Sequence, residues 1–205
     1  MPDAGRVIGG AAAGRRLRAP GPGTRPLADR VKQTLFAILE PDLPGASVAD
    51  LFAGSGAAGI EALSRGAAAA VFVERDSGAV AVIEENLRTT GLAGAATVVR
   101  ADALGWLERA EPSSVDLVVV DPPYADRTTL EVVLARLGAA RSPLRTGGRV
   151  VAKHFWRDRP AGRIGLLASE RERRFGETAL TFLRRVDPDT TTPTTEPVAM
   201  TEEDR

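Results

Sequence analysis

Segments with the pattern of a buried β-strand alternate with segments of helical period between residues 47 and 154. The strand-like segments are short and rich in Val, Ala and Phe, and most are followed by a stretch in which apolar residues recur every three or four positions. Strands joined by helices of this length pair in parallel, and the helices cover the faces of the sheet. The predicted strands span residues 47–52, 68–74, 95–100, 115–121 and 147–154.

Further elements flank this alternating region. RVIGG and GRRL, near the N-terminus, have the pattern of two short strands around a small-residue turn. A helix is predicted to begin near Pro26, with Val31, Leu35 and Leu39 on one face. The segment RIGLLASERERRFGETALTFLRRV predicts an antiparallel strand pair that turns near Gly176 and lies at the edge of the sheet. The sequence therefore predicts an α/β protein with a doubly wound, mostly parallel, Rossmann-like sheet.

The chain is expected to divide into three parts. Residues 1–24 form a basic N-terminal extension, and residues 25–186 form the domain that contains the sheet. Residues 187–205 are polar, acidic and rich in Thr and Pro, without periodicity, so we expect disorder there.

Composition excludes several classes of site. The chain has 205 residues, of which 43% are apolar, enough for one domain with a full core. It has no cysteine and a single histidine, so a disulfide framework, a zinc cluster and a cysteine nucleophile are excluded. That histidine, His154, is expected to be structural. No apolar run has the length of a membrane span. We expect a cytoplasmic, monomeric protein that binds neither a metal nor a membrane.

A formal net charge of zero conceals two basic segments. The first basic segment, residues 1–35, has seven Lys and Arg against two acids, and the second, residues 141–163, has seven against one. The last twenty residues, 186–205, hold six acids and one Arg. Two basic segments in a neutral protein suggest a phosphate-binding face, the alternative being scattered, solvated arginines.

A glycine-rich turn indicates a nucleotide site. Residues 54–59, GSGAAG, follow a predicted strand and open a predicted helix, which is the context that G-x-G-x-x-G requires. The glycines allow the backbone to approach a ligand, and the helix N-terminus presents free N–H groups. Glu74 ends the next strand, 20 residues after Gly54, where a carboxylate would accept from both ribose hydroxyls. These residues alone would also suit a nicotinamide dehydrogenase.

Two carboxylates favour S-adenosylmethionine as the cofactor. Asp50, inside the first strand of the alternating region, would repel a pyrophosphate but would attract the ammonium of an amino acid. Asp102 follows the third strand, where it could accept from an adenine amine. A helix N-cap for Asp102 and a surface ion pair for Glu74 are the alternatives. The candidate cofactor residues are Asp50, Phe52, Ala53, Gly54, Ser55, Gly56, Gly59, Glu74, Arg75, Asp102 and Ala103.

Together with DPPY, residues 121–124, these motifs resemble the class I methyltransferases that act on exocyclic amines. RVIGG, GRRL, TRPLADRVKQTLFAIL, DLFAGSG, FVERD and FGETAL look more closely like the bacterial small-subunit (16S) ribosomal RNA guanine-N(2)-methyltransferases, over about residues 5–185. The resemblance implies a seven-stranded sheet and an N-terminal β-hairpin extension. It also implies methylation of one guanine in small-subunit ribosomal RNA, a 30S subunit or an assembly intermediate.

The DPPY loop has the residue types that this chemistry needs. A guanine amine is a weak nucleophile, so its nitrogen must be aimed at the methyl group. Asp121 and the carbonyl of Pro122 can hold its two N–H groups, and the two prolines, Pro122 and Pro123, keep the loop rigid. The ring of Tyr124 can stack on an extruded base. A tight turn that merely closes a buried strand is the alternative.

Other functions stay open at this point. An [Asp/Asn]-Pro-Pro-aromatic loop also suits a DNA adenine-N6 or a protein glutamine-N5 methyltransferase, and a non-catalytic RNA-binding assembly factor could retain the cofactor motifs. The arginines of the first basic segment are expected to contact RNA phosphates. The candidate RNA-binding residues are Arg6, Arg15, Arg16, Arg18, Arg25, Arg30 and Lys32.

Overall fold

The computed structural model describes residues 3–21, 29–123 and 126–188. Its main sheet has eight strands in the spatial order β5-β4-β3-β6-β7-β10-β9-β8, and β1 and β2 form a separate antiparallel pair. The strands are β1 Asp3–Arg6, β2 Arg16–Arg18, β3 Ser47–Leu51, β4 Ala69–Glu74, β5 Ala96–Arg100, β6 Val115–Val120, β7 Leu144–Phe155, β8 Arg163–Ile164, β9 Leu167–Phe175 and β10 Thr178–Arg185.

Five helices accompany the sheet. They are α1 Asp29–Leu39, α2 Ala57–Ser64, α3 Ser77–Thr90, α4 Ala103–Arg109 and α5 Arg127–Leu137, with short 3₁₀ turns at Glu40–Asp42 and Ala93–Ala95. Side chains of α1, α2 and α3 pack on one face of the sheet and those of α4 and α5 on the other. Successive residues of a strand point to opposite faces, so Val48 joins the first core and Ala49 the second.

The predicted fold class is confirmed. β3 to β7 pair in parallel, and β10 pairs antiparallel with β7 and with β9 at the sheet edge. The sheet has one strand more than the expected seven, because the two-residue β8 pairs with β9. The described part of α1 begins at Asp29, and its predicted start near Pro26 falls outside the described residues.

The N-terminal strand pair packs against the domain. Ala4, Val7 and Leu17 are buried in the same core as α1 and α2. Two buried polar side chains of α2 bind the turn between the strands: Glu61 accepts from the N–H groups of Ile8 and Gly9, and Ser64 accepts from Ala12. The turn is thereby fixed to α2 by hydrogen bonds as well as by apolar contact.

Two further sequence expectations concern membrane spans and the acidic tail. No helix among the described residues is long and apolar enough to cross a membrane. Of the acidic tail, the described residues include only the first ones, through Pro188, so the expected disorder falls outside them.

Candidate active site

A cavity of about 860 Å³ opens at the carboxyl ends of β3, β4, β5 and β6. In the sheet, β4 lies next to β3 on one side and β6 lies next to β3 on the other, so the strand order reverses direction at β3. Ligands of doubly wound sheets bind outside such a switch point, because loops leave it in opposite directions. The cavity lining includes Asp50, Glu74, Asp102, Asp121 and Lys153.

Asp50 lies in β3 with its side chain withdrawn from water, at 2% exposure. Its Oδ2 accepts from the Gly59 N–H at 2.8 Å, which joins the strand to the first turn of α2. The pKa of Asp50 is raised to about 8, chiefly because burial disfavours the charged form; the Gly59 N–H opposes the shift, and the carboxylates of Asp121 and Glu74 add to it. A cation placed beside Asp50 would favour its ionised form.

Glu74 ends β4 and is fixed by two backbone groups. Its Oε2 accepts from the Gly54 N–H at 2.9 Å, and its Oε1 accepts from the Asp76 N–H at 2.9 Å. The carboxylate is half-buried and keeps lone pairs for further donors. This position suits acceptance of hydroxyl groups, and the predicted surface ion pair does not form among the described residues.

Asp102 and Asp76 cap the helices that border the cavity. Asp102 accepts from the Gly105 N–H at 2.8 Å at the start of α4, and Asp76 accepts from the Ala79 N–H at 2.8 Å at the start of α3. The N-cap role considered for Asp102 is therefore present, and no backbone N–H of the described residues donates to its Oδ2. Phe52, Ala53, Ser55, Arg75 and Ala103, also predicted from the sequence, line the same cavity.

Two glycines of the turn face the core. A Cβ atom on Gly59 would lie 2.4 Å from the ring of Phe72, and one on Gly56 would lie 3.3 Å from the same ring. Gly56 also has a φ of +76°, which disfavours other residues. Neither lines the cavity, whereas Gly54 does. Gly56 and Gly59 were predicted to bind the cofactor, and in the structure the position of an added Cβ on each faces the core rather than the cavity.

Lys153 contacts the proposed catalytic carboxylate. Its Nζ lies 2.6 Å from Oδ1 and 2.9 Å from Oδ2 of Asp121. β6 pairs in parallel with β7, with Val119 opposite Val151 and Val120 opposite Ala152, so Asp121 and Lys153 are the next pair in register. Burial raises the pKa of Asp121 and Lys153 lowers it. The effect of burial is larger, so the pKa is raised overall. Lys153 was not among the candidate residues of the sequence, although strand register could have indicated it.

The DPPY loop turns directly after β6. The carbonyl of Pro123 accepts from the Asp126 N–H at 2.9 Å, which closes the turn before α5. Within the described residues no hydrogen bond reaches the Pro122 carbonyl. Pro122 and Pro123 line the cavity with Asp121. Tyr124 lies outside the described residues.

A buried asparagine links the N-terminal strand pair to the glycine turn. The side chain of Asn86, on α3, donates to the carbonyls of Arg18 and Ser55, each at 2.9 Å, and accepts from the Arg18 N–H at 2.8 Å. Pro20 and Gly21, which follow β2, reach the cavity lining. None of these three residues was predicted from the sequence; an Asn inside a helix, such as Asn86, gives no functional signal by itself.

The candidate RNA-binding residues divide by exposure. Arg6, Arg16 and Arg18 are exposed and each lies within 4 Å of an acidic side chain, at Asp29, Asp3 and Glu85 respectively. Arg15 and Arg30 are exposed too.

Lys32, which was predicted to contact RNA, is instead buried. Its side chain is fully buried, donates to the Arg6 carbonyl at 2.6 Å and pairs with Asp29 at 3.4 Å. It therefore supports the N-terminal strand pair from beneath and does not reach an RNA phosphate. Arg25 lies outside the described residues.

The second basic segment does not form one face with the first. Arg145 pairs with Asp116 at 2.6 Å, and Arg149 pairs with Asp42 and with Glu170. Both arginines lie in the first half of β7, away from the carboxyl edge, and are neutralised there. The basic residues that follow Lys153 emerge at the opposite end of the strand.

His154 has the structural place expected of it. It is buried, with Nδ1 2.8 Å from the Phe155 carbonyl and Nε2 2.8 Å from Oγ1 of Thr181. Its side chain does not line the cavity.

The strand order and the carboxylate-lined cavity at the carboxyl edge of the sheet are those of the class I methyltransferases. The chain belongs to the family described as "Conserved hypothetical protein 95", whose model matches residues 5–184. The predicted resemblance to ribosomal RNA methyltransferases is confirmed by similar proteins of that name.

Two similar proteins and one solved structure support this assignment. A Bacillus subtilis (strain 168) protein named "Putative rRNA methyltransferase YlbH" is 36% identical over 183 residues, which are 88% of this chain and 98% of that protein. The Escherichia coli (strain K12) "Ribosomal RNA small subunit methyltransferase D" is 46% identical over 121 residues, 58% of this chain and 60% of that protein. The structure of "Putative methyltransferase yhhF from Escherichia coli" matches with a TM-score of 0.78 at 35% identity. The match covers 88% of this chain and 97% of that protein's chain.

Proposed function

We propose that this protein transfers a methyl group from S-adenosylmethionine to the exocyclic N2 amine of one guanine in small-subunit ribosomal RNA. One observation carries the proposal: Asp121, Pro122 and Pro123 open into the same cavity as Asp50, Glu74 and Asp102. A cofactor site and an amine-holding loop thus share one chamber. The names of the relatives favour ribosomal RNA over DNA or a protein glutamine as the substrate.

The cavity residues fit the cofactor by charge. Three carboxylates, Asp50, Glu74 and Asp121, interact within the cavity. Such a site repels phosphate groups and suits a ligand that carries an ammonium, ribose hydroxyls and an adenine amine, as S-adenosylmethionine does. When bound, the cofactor supplies an electrophilic methyl group on a sulfonium. Asp50 would hold the ammonium, Glu74 the ribose and Asp102 the adenine amine.

The amine is held by Asp121 and the Pro122 carbonyl. Each accepts one N–H, which directs the nitrogen lone pair toward the methyl group and places the reactants in a near-attack geometry. Positive charge develops on the nitrogen as its bond to the methyl carbon forms and the sulfur–methyl bond breaks, which would leave a neutral thioether; the nearby carboxylate stabilises that charge. The proton then leaves to Asp121 or to water.

Lys153 contributes by positioning Asp121. Its ammonium contacts both carboxylate oxygens, so the carboxylate plane is fixed before the base arrives. It also favours the ionised form of a buried acid, since it opposes the effect of burial on the Asp121 pKa. Each oxygen keeps a second lone pair for the substrate amine.

The decisive experiment maps ribosomal RNA from a strain that lacks this protein. Mass spectrometry should find one guanine of the small-subunit RNA without its N2 methyl group. Purified protein with labelled S-adenosylmethionine should restore that group on 30S subunits or on naked RNA, and comparing the two defines the substrate. Asp121→Asn protein is the matched control, which should bind the cofactor within a few-fold of wild type and transfer no methyl group. Full methylation in the deletion strain would exclude the proposal.

A further inference from the structure

The carboxyl end of β7 carries an arginine–tryptophan cluster that the cofactor site does not use. The Cζ atom of Arg174 lies 3.8 Å from the centroid of the Trp156 ring, and that of Arg157 lies 4.8 Å from it. Both arginines are exposed and Trp156 is half-buried. These three residues are called the Trp156 cluster below.

The cluster has a fixed place on the sheet. The Trp156 N–H donates to the Glu177 carbonyl at 3.0 Å, and Phe155 pairs with Thr178, so the turn between β9 and β10 lies beside it. The Phe155 ring packs near the indole, with centroids 6.2 Å apart. Secondary structure on two strands therefore holds the indole in position.

The Trp156 cluster lies near the proposed reaction centre. Lys153, which contacts Asp121, is three residues before Trp156, a separation of about 10 Å at the usual rise of a strand. In the loop that follows, Asp158 pairs with Arg127 at 3.5 Å, and Arg127 is the first residue of α5. The loop after β7 therefore borders the helix that begins directly after the DPPY loop.

The two stacked guanidinium groups are available for an anion. Arg159, the next arginine along the chain, pairs with Glu172 at 3.0 Å. Within residues 3–21, 29–123 and 126–188, no carboxylate forms an ion pair with Arg157 or Arg174. Among the described residues, the one side-chain hydrogen bond of either arginine is from Arg174 Nε to the Gly176 carbonyl. Stacking occupies the face of a guanidinium and leaves N–H groups in its plane for phosphate oxygens.

We propose that the Trp156 cluster binds the phosphate backbone of the RNA strand next to the target base. The inference rests on the proposed function and names a second contact surface, distinct from the arginines of the N-terminal strand pair. Indole stacking holds both guanidinium groups in place before binding, so little of their conformational freedom is lost when phosphates arrive. Phosphate contacts of this kind position a nucleic acid without reading its sequence.

The test replaces both arginines, Arg157→Gln and Arg174→Gln. The control, Arg109→Gln with Arg136→Gln, removes the same charge from exposed positions on α4 and α5. RNA or 30S binding should weaken about tenfold in the first variant and little in the control. The dependence of log Kd on log salt should lose a slope of about 1 to 2, the value for two phosphate contacts. Cofactor affinity and the rate at saturating RNA should stay at wild-type values.

Three outcomes separate the possibilities. Equal RNA binding by the two double variants would overturn the inference, and Trp156→Leu, which removes stacking without changing charge, checks it independently. A loss of cofactor affinity along with RNA affinity would also overturn it, since the cluster would then be supporting the fold. If wild-type protein methylates no ribosomal RNA, the proposed function fails, while the binding and salt measurements still decide the role of the cluster.

Discussion

The Lys153 ammonium lies between both oxygens of the Asp121 carboxylate, 2.6 Å from Oδ1 and 2.9 Å from Oδ2. The residue proposed to hold the substrate amine is therefore already engaged by a cation. Lys153 supports substrate binding if it keeps Asp121 ionised, because the ionised carboxylate is the form that accepts the N–H of the substrate amine. The pair thus predicts how activity depends on pH.

Lys153→Met should move the acidic limb of the pH–rate profile to higher pH. Lys153 lowers the pKa of Asp121 against the effect of burial, so its loss lets that pKa rise. The active carboxylate is then protonated at a higher pH, and kcat/KM falls there first. The profile should be measured from about pH 5 to 9, with Lys153→Arg as the conservative variant that retains a cation. An unshifted limb would show that Lys153 does not control the charge of Asp121.

Cofactor binding should release up to one proton per site near pH 7. Asp50 has a pKa of about 8 in the free protein and is largely protonated there. The ammonium of the cofactor favours the carboxylate, so the proton is expelled. Calorimetry in two buffers of different ionisation enthalpy measures the number released. Asp50→Asn should abolish the release, whereas Glu84→Gln, at an exposed acid on α3, should not change it. Equal release by wild type and Asp50→Asn would contradict this assignment.

The same carboxyl should make the free protein less stable as the pH rises. The folded-state pKa of Asp50 is above its ordinary value of 3.8, so folding favours the protonated form. Its contribution to the free energy of unfolding is complete below about pH 4 and is lost as the pH rises through about 8. Denaturant unfolding of Asp50→Asn should show a weaker decline over this range than wild type. Parallel pH dependences would remove Asp50 as the cause.

Asn86→Ala should weaken cofactor binding as well as stability. The Asn86 side chain is buried and holds the Ser55 carbonyl of the glycine turn and both backbone groups of Arg18. A buried group left without its partner costs about 1–3 kcal/mol. The free energy of unfolding and the cofactor Kd should both be measured, with Glu84→Ala on the same helix as the control. If the cofactor Kd of Asn86→Ala equals that of the control, the link from the N-terminal strand pair to the glycine turn does not affect cofactor binding.

Gly59→Ala should destabilise the fold, because its Cβ would lie 2.4 Å from the Phe72 ring. Overpacking a core in this way costs about 1–3 kcal/mol. Gly94→Ala is the matched control, since no atom lies within 4 Å of its added Cβ and its φ is not positive. Thermal unfolding compares the two. An unchanged melting temperature in Gly59→Ala would mean that the Phe72 ring moves aside without cost.

The site carboxylates were predictable because each of them stands at or near the carboxyl end of a strand. Asp50, Glu74, Asp102 and Asp121 are separated along the chain, but parallel strands bring their ends to one edge of the sheet. The alternation of strand and helix was therefore sufficient to place them together. The roles of the glycines were less predictable, since a motif records which residues are present and not which way they face.

The α/β class, the order of the elements and the edge where the candidate site lies were all predictable from the amino-acid pattern, because local periodicity and strand ends depend on neighbours along the chain. The three-dimensional fold specifies which polar groups come into contact. It paired Lys153 with Asp121 through the register of β6 and β7, and it buried Lys32 beneath the N-terminal strands. It also divided the second basic segment between the two ends of β7. These outcomes depend on contacts between distant segments, which charge and periodicity alone do not specify.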